Sequence, residues 1–168
     1  TGVFARAKFS TRQRIDTQLY VLSLAMHHSS TITQKVVACS RKAAAGTRHL
    51  RFAYPVTHVS RPLDHAREPH EAYLKRLSRR GVGSLFLGMN PGPWGMSQTG
   101  VPFGEVGAVR SFLGLKGKVV SPKDAHPNRP IEGFSCAKSE VSGRRFWGLM
   151  QEKFGTVDAF AASHFVWN

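Results

Sequence analysis

The sequence predicts an α/β protein with parallel strands, on three observations. Residues 84–87 (Ser-Leu-Phe-Leu) form a short, almost purely apolar run, which is typical of a buried strand in a parallel sheet. A similar run, His164–Trp167, begins a second strand near the end of the chain. Between the two runs lie segments whose apolar residues have helical spacing, and alternating strands and helices favour a parallel sheet.

The first predicted helix starts near Glu68 and ends at Gly81. Pro69 suits its first turn, where a missing N–H leaves no intrahelical hydrogen bond unmade. The residues predicted to face inward are Tyr73, Leu74 and Leu77.

Two further helices are predicted from the same kinds of signal. One runs from about Glu105 to Leu113, is stopped by Gly114, and has as inward residues Val106, Val109 and Leu113. The other is capped by Ser142, ends at Gly155 and carries an apolar stripe of Phe146, Leu149, Met150 and Phe154. Residues 116–138 contain three prolines and two glycines, which predicts a long irregular loop, and a short helical turn is expected near residues 158–162.

The loop after the first strand, residues 88–105, is the most informative part of the chain. Its sequence is Gly-Met-Asn-Pro-Gly-Pro-Trp-Gly-Met-Ser-Gln-Thr-Gly-Val-Pro-Phe-Gly-Glu. Ligands of open α/β sheets bind beyond the carboxyl ends of the strands. Asn90 offers an amide donor and an amide acceptor there, and Phe103 offers an aromatic face. The loop therefore predicts a pocket for a planar, polar ring.

The same loop resembles motif one of the single-strand-selective monofunctional uracil-DNA glycosylases, a branch of the uracil-DNA glycosylase superfamily. Gly-x-Asn-Pro-Gly is shared with the mismatch-specific branch, whereas the continuation over residues 93–105 points to the single-strand-selective one. Residues 55–58 (Pro-Val-Thr-His), 68–70 (Glu-Pro-His) and 140–147 (Glu-Val-Ser-Gly-Arg-Arg-Phe-Trp) match that branch in order. The resemblance covers roughly residues 48–168.

The resemblance implies a three-layer α/β/α sandwich with a short parallel sheet of four strands. It also implies a second motif that begins with a catalytic histidine, and a wedge loop that enters DNA; neither is found in the 168 residues. The chain is therefore expected to be an N-terminal fragment whose domain is incomplete at the C-terminus. Such a fragment alone is expected to be a weak or inactive enzyme.

For the catalytic role, the resemblance implies that Asn90 positions the water that attacks the sugar. From the residues alone, Asn90 could equally cap its own turn, as an asparagine before a proline often does. Phe103 is implied to stack on the flipped base, although an ordinary core phenylalanine has the same appearance in the sequence.

The remaining pocket residues are also assigned by the resemblance. Met89 and Gly92 line the pocket with backbone groups, and Gly95 and Met96 meet the C5 edge of the base, where modified uracils are admitted. Asn168 reads the base edge, because one carboxamide can pair with both O4 and N3–H of uracil.

Charge and composition limit the kinds of partner that the chain is expected to bind. The chain has 24 Lys and Arg against 10 Asp and Glu, a formal charge of +14, of which +8 lies in residues 1–51. This favours a polyanion, although a basic surface can also serve solubility alone. With the resemblance, the expected partner is uracil-containing DNA, single- or double-stranded, bound by a monomer in the nucleus. No run is long enough to span a membrane, and no metal or cofactor is expected, since the histidines and two cysteines lack ligand spacing.

Two matters stay open at this stage. Residues 1–47 are predicted to be a basic arm, separate from the domain of residues 48–168, and three explanations remain: a mitochondrial transit peptide, a disordered arm that grips DNA, or an artefact of gene modelling. The expected activity is excision of uracil and 5-modified uracils in base-excision repair. The alternatives are a basic nucleic-acid-binding module without chemistry and an inactive fragment.

Overall fold

The computed structural model describes residues 31–168. The predicted arm before residue 31 lies outside the described residues. The regular elements of the described part are α1 (31–47), α2 (Pro62–His65), α3 (Arg67–Leu77), β1 (Ser84–Leu87), α4 (Met96–Thr99), α5 (Val106–Ser111), a 3-10 turn (Gly133–Ser135), α6 (Val141–Phe154), α7 (Val157–Ala161) and β2 (His164–Trp167).

The two strands form a parallel pair. Ser84 is in register with His164 and Leu87 with Trp167, so that both strands end at the same edge. There the backbone N–H of Gly88 donates to Trp167 O at 2.7 Å. The prediction of an α/β fold with parallel strands is thus confirmed for this two-stranded sheet.

β1 is not the buried strand that the sequence predicted. Leu85 and Leu87 are 57% and 70% exposed, because no described residue covers that face. Phe86 alone packs on the core, with its ring 5.3 Å from that of Phe146. An apolar run shows that a strand is able to be buried on both faces, but the covering layer has to come from elsewhere in the chain.

The core lies between β1–β2 and the helices, and the predicted inward faces of α3 and α5 are confirmed. The inward side chains are all less than 9% exposed: Tyr73, Leu74, Leu77, Val106, Val109 and Leu113. The Tyr73 hydroxyl donates to Val166 O at 2.7 Å, which fixes α3 against β2. Glu105 caps α5 by accepting a hydrogen bond from the Ala108 N–H at 2.8 Å.

α6 differs from its prediction in two ways. Its buried residues are Gly143, Trp147 and Met150, whereas Leu149 is 44% exposed. Trp147 takes the central position because its indole N–H donates to Pro102 O at 3.1 Å, so the large ring is buried with its polar atom paired. Glu140, not Ser142, occupies the N-cap position, and it makes no side-chain capping hydrogen bond.

Residues 31–47 belong to the predicted basic arm, for which disorder was one explanation, and they form helix α1. The buried residues of this helix are Val37, Ser40 and Ala44, and the Ser40 hydroxyl lies 2.8 Å from Nε2 of His70 in α3. The guanidinium of Arg41 makes two hydrogen bonds of 2.8 Å to the Glu71 carboxylate. No helix was predicted here because the buried side chains of this segment, Val37, Ser40 and Ala44, present little apolar area. The division of the chain at residue 47 stays a prediction.

Within residues 31–168, no helix combines the length and the apolar character that crossing a bilayer requires.

Candidate functional site

The loop of residues 88–105 forms one wall of a pocket of about 350 Å³ at the carboxyl end of β1. Five of the predicted site residues line this pocket: Met89, Asn90, Gly92, Phe103 and Asn168. The pocket therefore draws on the first strand's loop, the start of α6 and the end of β2, which are distant in sequence.

Gly95 and Met96 do not line the pocket; both are buried behind it, at the start of α4. Each nevertheless contacts a residue that does. The Asn168 amide Nδ2 lies 3.3 Å from Met96 Sδ, and the Glu140 carboxylate lies against Gly95. Gly95 and Met96 can therefore influence the pocket through Glu140 and Asn168, which line it.

Asn168 is held by its surroundings while one of its polar atoms is left unpaired. A side chain at position 88 would overlap Asn168 Oδ1, so only glycine allows this close approach. Oδ1 is buried and has no hydrogen-bond partner among the described residues. A buried, unpaired acceptor is unfavourable unless a ligand or water supplies a donor. The carboxamide is thus suited to bind a donor group inside the pocket.

Asn90 lies at the exposed lip of the pocket. Its one side-chain hydrogen bond within residues 31–168 is a long contact of 3.5 Å from Nδ2 to Pro91 O in its own turn. A contact of that length is weak. The alternative role of Asn90 as a turn cap therefore has little support in the geometry, and the amide remains able to bind a ligand or water.

Phe103 has a strained backbone at the pocket. Its φ of 51° makes it the non-glycine residue with positive φ in the described part of the chain. Its ring stacks on Phe146 with centroids 4.7 Å apart and planes 18° apart. Phe103 is half-buried, so it belongs to the core on one side and lines the pocket on the other. Strain of this kind often persists at ligand sites.

Two buried histidines attach the loop to the helices beneath it. His65 Nε2–H donates to Ser97 O at 2.8 Å, and His70 Nδ1–H donates to Gly100 O at 2.7 Å. The second ring nitrogen of His70 is 2.8 Å from the Ser40 hydroxyl, which links α1 to the loop. Burial lowers the pKa of both histidines below the usual value, although the carbonyl contacts act in the opposite direction.

Gln98 makes the other main attachment of the loop. The side chain is fully buried, and its amide donates to Pro93 O at 2.8 Å and to Pro130 O at 2.9 Å. Its carbonyl oxygen accepts from the backbone N–H groups of Glu132 and Gly133. All hydrogen-bonding capacity of this carboxamide is satisfied, which fixes the long loop of residues 116–138 against the pocket loop.

The histidine pKa shifts predict a pH dependence of stability. A histidine whose pKa is lowered in the folded state favours folding when it is neutral. Its contribution to the free energy of unfolding is complete above about pH 6.5, and this contribution is lost as the pH falls from there towards the folded pKa. We expect the free energy of unfolding, measured with urea, to decrease between pH 7.5 and 5.5. His70→Gln should be less stable at pH 7.5 and should lose less on acidification. An equal loss in the variant would contradict this role of His70.

Glu140 is a pocket residue to which the sequence assigned no function. Its carboxylate fills the space that side chains at positions 92 and 95 would occupy. Burial, and to a smaller extent Glu105, raise the pKa of Glu140, and its Oε2 has no partner among the described residues. The signal was present, since Glu140 begins the matched stretch 140–147, but a glutamate before a helix also looks like an ordinary cap.

Among the described residues, no group of three histidine, cysteine, aspartate or glutamate side chains is arranged to hold a metal ion.

Comparison with known proteins identifies close relatives. No protein-family model matches the chain. It is 50% identical over 119 residues to the rat (Rattus norvegicus) single-strand selective monofunctional uracil-DNA glycosylase, an alignment that covers 71% of this chain and 43% of the relative. The bovine (Bos taurus) protein of that name is 50% identical over 121 residues, covering 72% and 44%.

The mouse (Mus musculus) single-strand selective monofunctional uracil DNA glycosylase is 42% identical over 153 residues, covering 84% of this chain and 55% of the relative. Because 84% of 168 residues is about 141, this alignment includes part of the first 47 residues. The chain spans about half the length of the curated relatives it matches. It belongs to the family of single-strand selective monofunctional uracil-DNA glycosylases.

Proposed function

We propose that the protein is a monofunctional uracil-DNA glycosylase, which hydrolyses the N-glycosidic bond of uracil and 5-modified uracils in single- and double-stranded DNA. The observation that carries this proposal is the shared pocket of Asn90, Phe103 and Asn168. Each supplies a different requirement of the reaction: a group that orients water, an aromatic face and a carboxamide that discriminates base edges. The proposal includes a three-layer sandwich for the whole domain, a monomeric state, and a nuclear role in base-excision repair.

The reaction begins when the target base leaves the stack, which costs a few kcal/mol and is easiest for unpaired bases. In the pocket, Phe103 stacks on the base and the Asn168 carboxamide pairs with O4 and N3–H. Cytosine presents the opposite pattern at these positions, so it would leave buried groups unpaired and bind less well.

Bond cleavage then proceeds through a sugar with oxocarbenium character. The C1′–N1 bond breaks with its electron pair passing to the uracil ring, and water adds to C1′ and loses a proton to solvent. A cationic sugar needs an oriented nucleophile more than a strong base, so the neutral amide of Asn90 is sufficient for this task. No lysine lies in residues 88–105, in agreement with hydrolysis by water and not by an amine nucleophile.

The direct test is release of free uracil by the full-length protein from an oligonucleotide with a single deoxyuridine, both single-stranded and paired. The matched control oligonucleotide carries deoxycytidine at that position. We expect uracil release and an abasic site from the first and neither from the second. Binding of both oligonucleotides without release would contradict the proposal and favour the alternative of a basic nucleic-acid-binding module, which the formal charge of +14 supports.

Asn168→Asp should reduce uracil excision in the full-length protein. A carboxylate is unable to donate to O4 unless it is protonated, but it can accept from the amino group of cytosine. We therefore expect slower single-turnover release of uracil and some release of cytosine. Gln151→Glu, the same chemical change at an exposed position of α6, is the control. Unchanged uracil kinetics in Asn168→Asp would exclude Asn168 as the base reader.

A further inference from the structure

A second cavity, of about 480 Å³, lies beside the base pocket. Asn90 and Pro93 line both cavities, so the two are separated by little more than the lip of the loop. The outer wall of the second cavity comes from residues 58–60 and from residues 122–131 of the long loop. Its size lies within the range of pockets that hold small organic ligands. This cavity is called the lateral cleft below.

His126 contributes a hydrogen-bond donor to the lateral cleft. The backbone N–H of Asn128 donates to His126 Nδ1 at 3.1 Å, so in the neutral ring the proton is on Nε2. The ring of His58 lies edge-on to it, with centroids 4.8 Å apart. The two rings are inclined at 64° to each other in the wall of the cleft, and the backbone N–H of Asn128 fixes the tautomer of the His126 donor.

The charged groups of the cleft are Arg129 and Asp124. Both are exposed, and neither forms an ion pair with any residue in the range 31–168. A guanidinium binds a phosphate through two parallel hydrogen bonds. The Asp124 carboxylate balances the charge of this guanidinium, so the cleft is not a site for a small, highly charged anion. It favours a ligand that carries one phosphate together with hydrogen-bond donors.

The apolar part of the wall comes from Val59, Pro91, Pro122 and Ile131. Apolar side chains of this kind can pack against the faces of nucleobases. Sites for single-stranded nucleic acid combine a positive group for the backbone phosphate with a surface on which a base packs, and the lateral cleft has both.

We propose that the lateral cleft binds the nucleotide adjacent to the excised one on the same strand. This inference rests on the proposed glycosylase function. Arg129 and the Nε2–H of His126 bind the connecting phosphodiester, and the neighbouring base packs against the wall of the cleft. Because Asn90 lies between the two cavities, a strand that occupies both passes directly over the residue assigned to the attacking water.

The proposal predicts that affinity depends on a neighbouring nucleotide. We expect the full-length protein to bind a trinucleotide with central deoxyuridine more tightly than deoxyuridine monophosphate. Arg129→Gln should raise the KM for the trinucleotide about tenfold or more, as expected for one charge-assisted hydrogen bond. The value of kcat and the affinity for free uracil should stay within twofold. Arg129→Lys, which keeps the charge, should restore part of the affinity.

The matched control is Arg145→Gln, which removes the same charge from an exposed position of α6 that lines neither cavity. It should change the KM for the trinucleotide by less than about threefold. Equal effects of the two glutamine variants, or equal affinity of the wild type for the trinucleotide and the monophosphate, would overturn the cleft assignment. If wild type excises no uracil but still binds the trinucleotide through Arg129, the glycosylase proposal fails and the cleft assignment stands. Dinucleotides with the neighbour on the 5′ or the 3′ side identify which nucleotide the cleft takes.

Discussion

Replacing Asn90 by alanine should slow uracil excision about 100-fold or more while leaving DNA affinity nearly unchanged. Asn90 lies at the pocket lip, and its only side-chain hydrogen bond among the described residues is the 3.5 Å contact to Pro91 O. Its removal therefore costs the fold little. If the amide orients the attacking water, removing it mainly raises the free energy of the transition state. A 100-fold decrease corresponds to about 2.7 kcal/mol of lost transition-state stabilisation.

The measurement is single-turnover release of uracil by the full-length protein, with the dissociation constant for a uracil-containing single strand at the same salt concentration. We expect affinity to change by less than about tenfold, because phosphate contacts supply most of it. Gln151→Ala, at an exposed position of α6, is the control. A parallel loss of binding and rate would mean that Asn90 supports the loop, and wild-type excision would exclude it from the mechanism.

The elements that the sequence predicted well are those whose signals are local. The inward residues Tyr73, Leu74 and Leu77 of α3 follow from helical spacing alone, and all three are fully buried. The pocket loop followed from its composition and from its place after a strand. In each case the residues that form the sequence pattern are also the residues that form the predicted element.

The errors have a common physical origin in contacts between distant segments. Helix α1 is held by Ser40 and Arg41, whose partners His70 and Glu71 are 30 residues away. By helical spacing alone, Leu149 and Trp147 are equally suited to the buried face of α6. Trp147 is the buried one because its indole N–H bonds to the carbonyl of Pro102, which is 45 residues away. Such pairings depend on topology, which short-range patterns do not specify.

The same limitation applies within the site. Residue type alone did not predict the positions of Gln98 and Glu140, since a buried glutamine and a half-buried glutamate are both unusual. Each is accommodated by backbone that approaches closely: Gln98 by carbonyl and N–H groups of two loops, and Glu140 by Gly92 and Gly95. The family resemblance indicated that these stretches belong to the site, whereas the structure shows which of their atoms are in contact.

Substituting the two glycines inside α6 by alanine should have opposite effects on stability. A Cβ at position 143 would overlap the carbonyl oxygen of Phe103 and lie 3.0 Å from its carbonyl carbon. A Cβ at position 148 would have no atom within 4 Å. Backbone is unable to rotate away as a side chain does, so relief at position 143 requires that α6 and the Phe103 turn separate.

We expect Gly143→Ala to lower the free energy of unfolding by about 2 kcal/mol or more, in the range of overpacked cores. Gly148→Ala should raise it by up to about 1 kcal/mol, because alanine is the better helix former at an exposed position. Urea denaturation of both variants measures the difference. The same substitution in the same helix controls for composition and helix propensity.

The Gly143 variant should also affect the site, since Phe103 already has a φ of 51° and stacks on Phe146. Displacement of this backbone moves the ring that is proposed to stack on the base. We expect Gly143→Ala to weaken binding of free uracil and Gly148→Ala to leave it unchanged. If Gly143→Ala were as stable as wild type and bound uracil equally well, α6 would not approach Phe103 as closely as described, and the assignment of Phe103 to the pocket would lose its structural support.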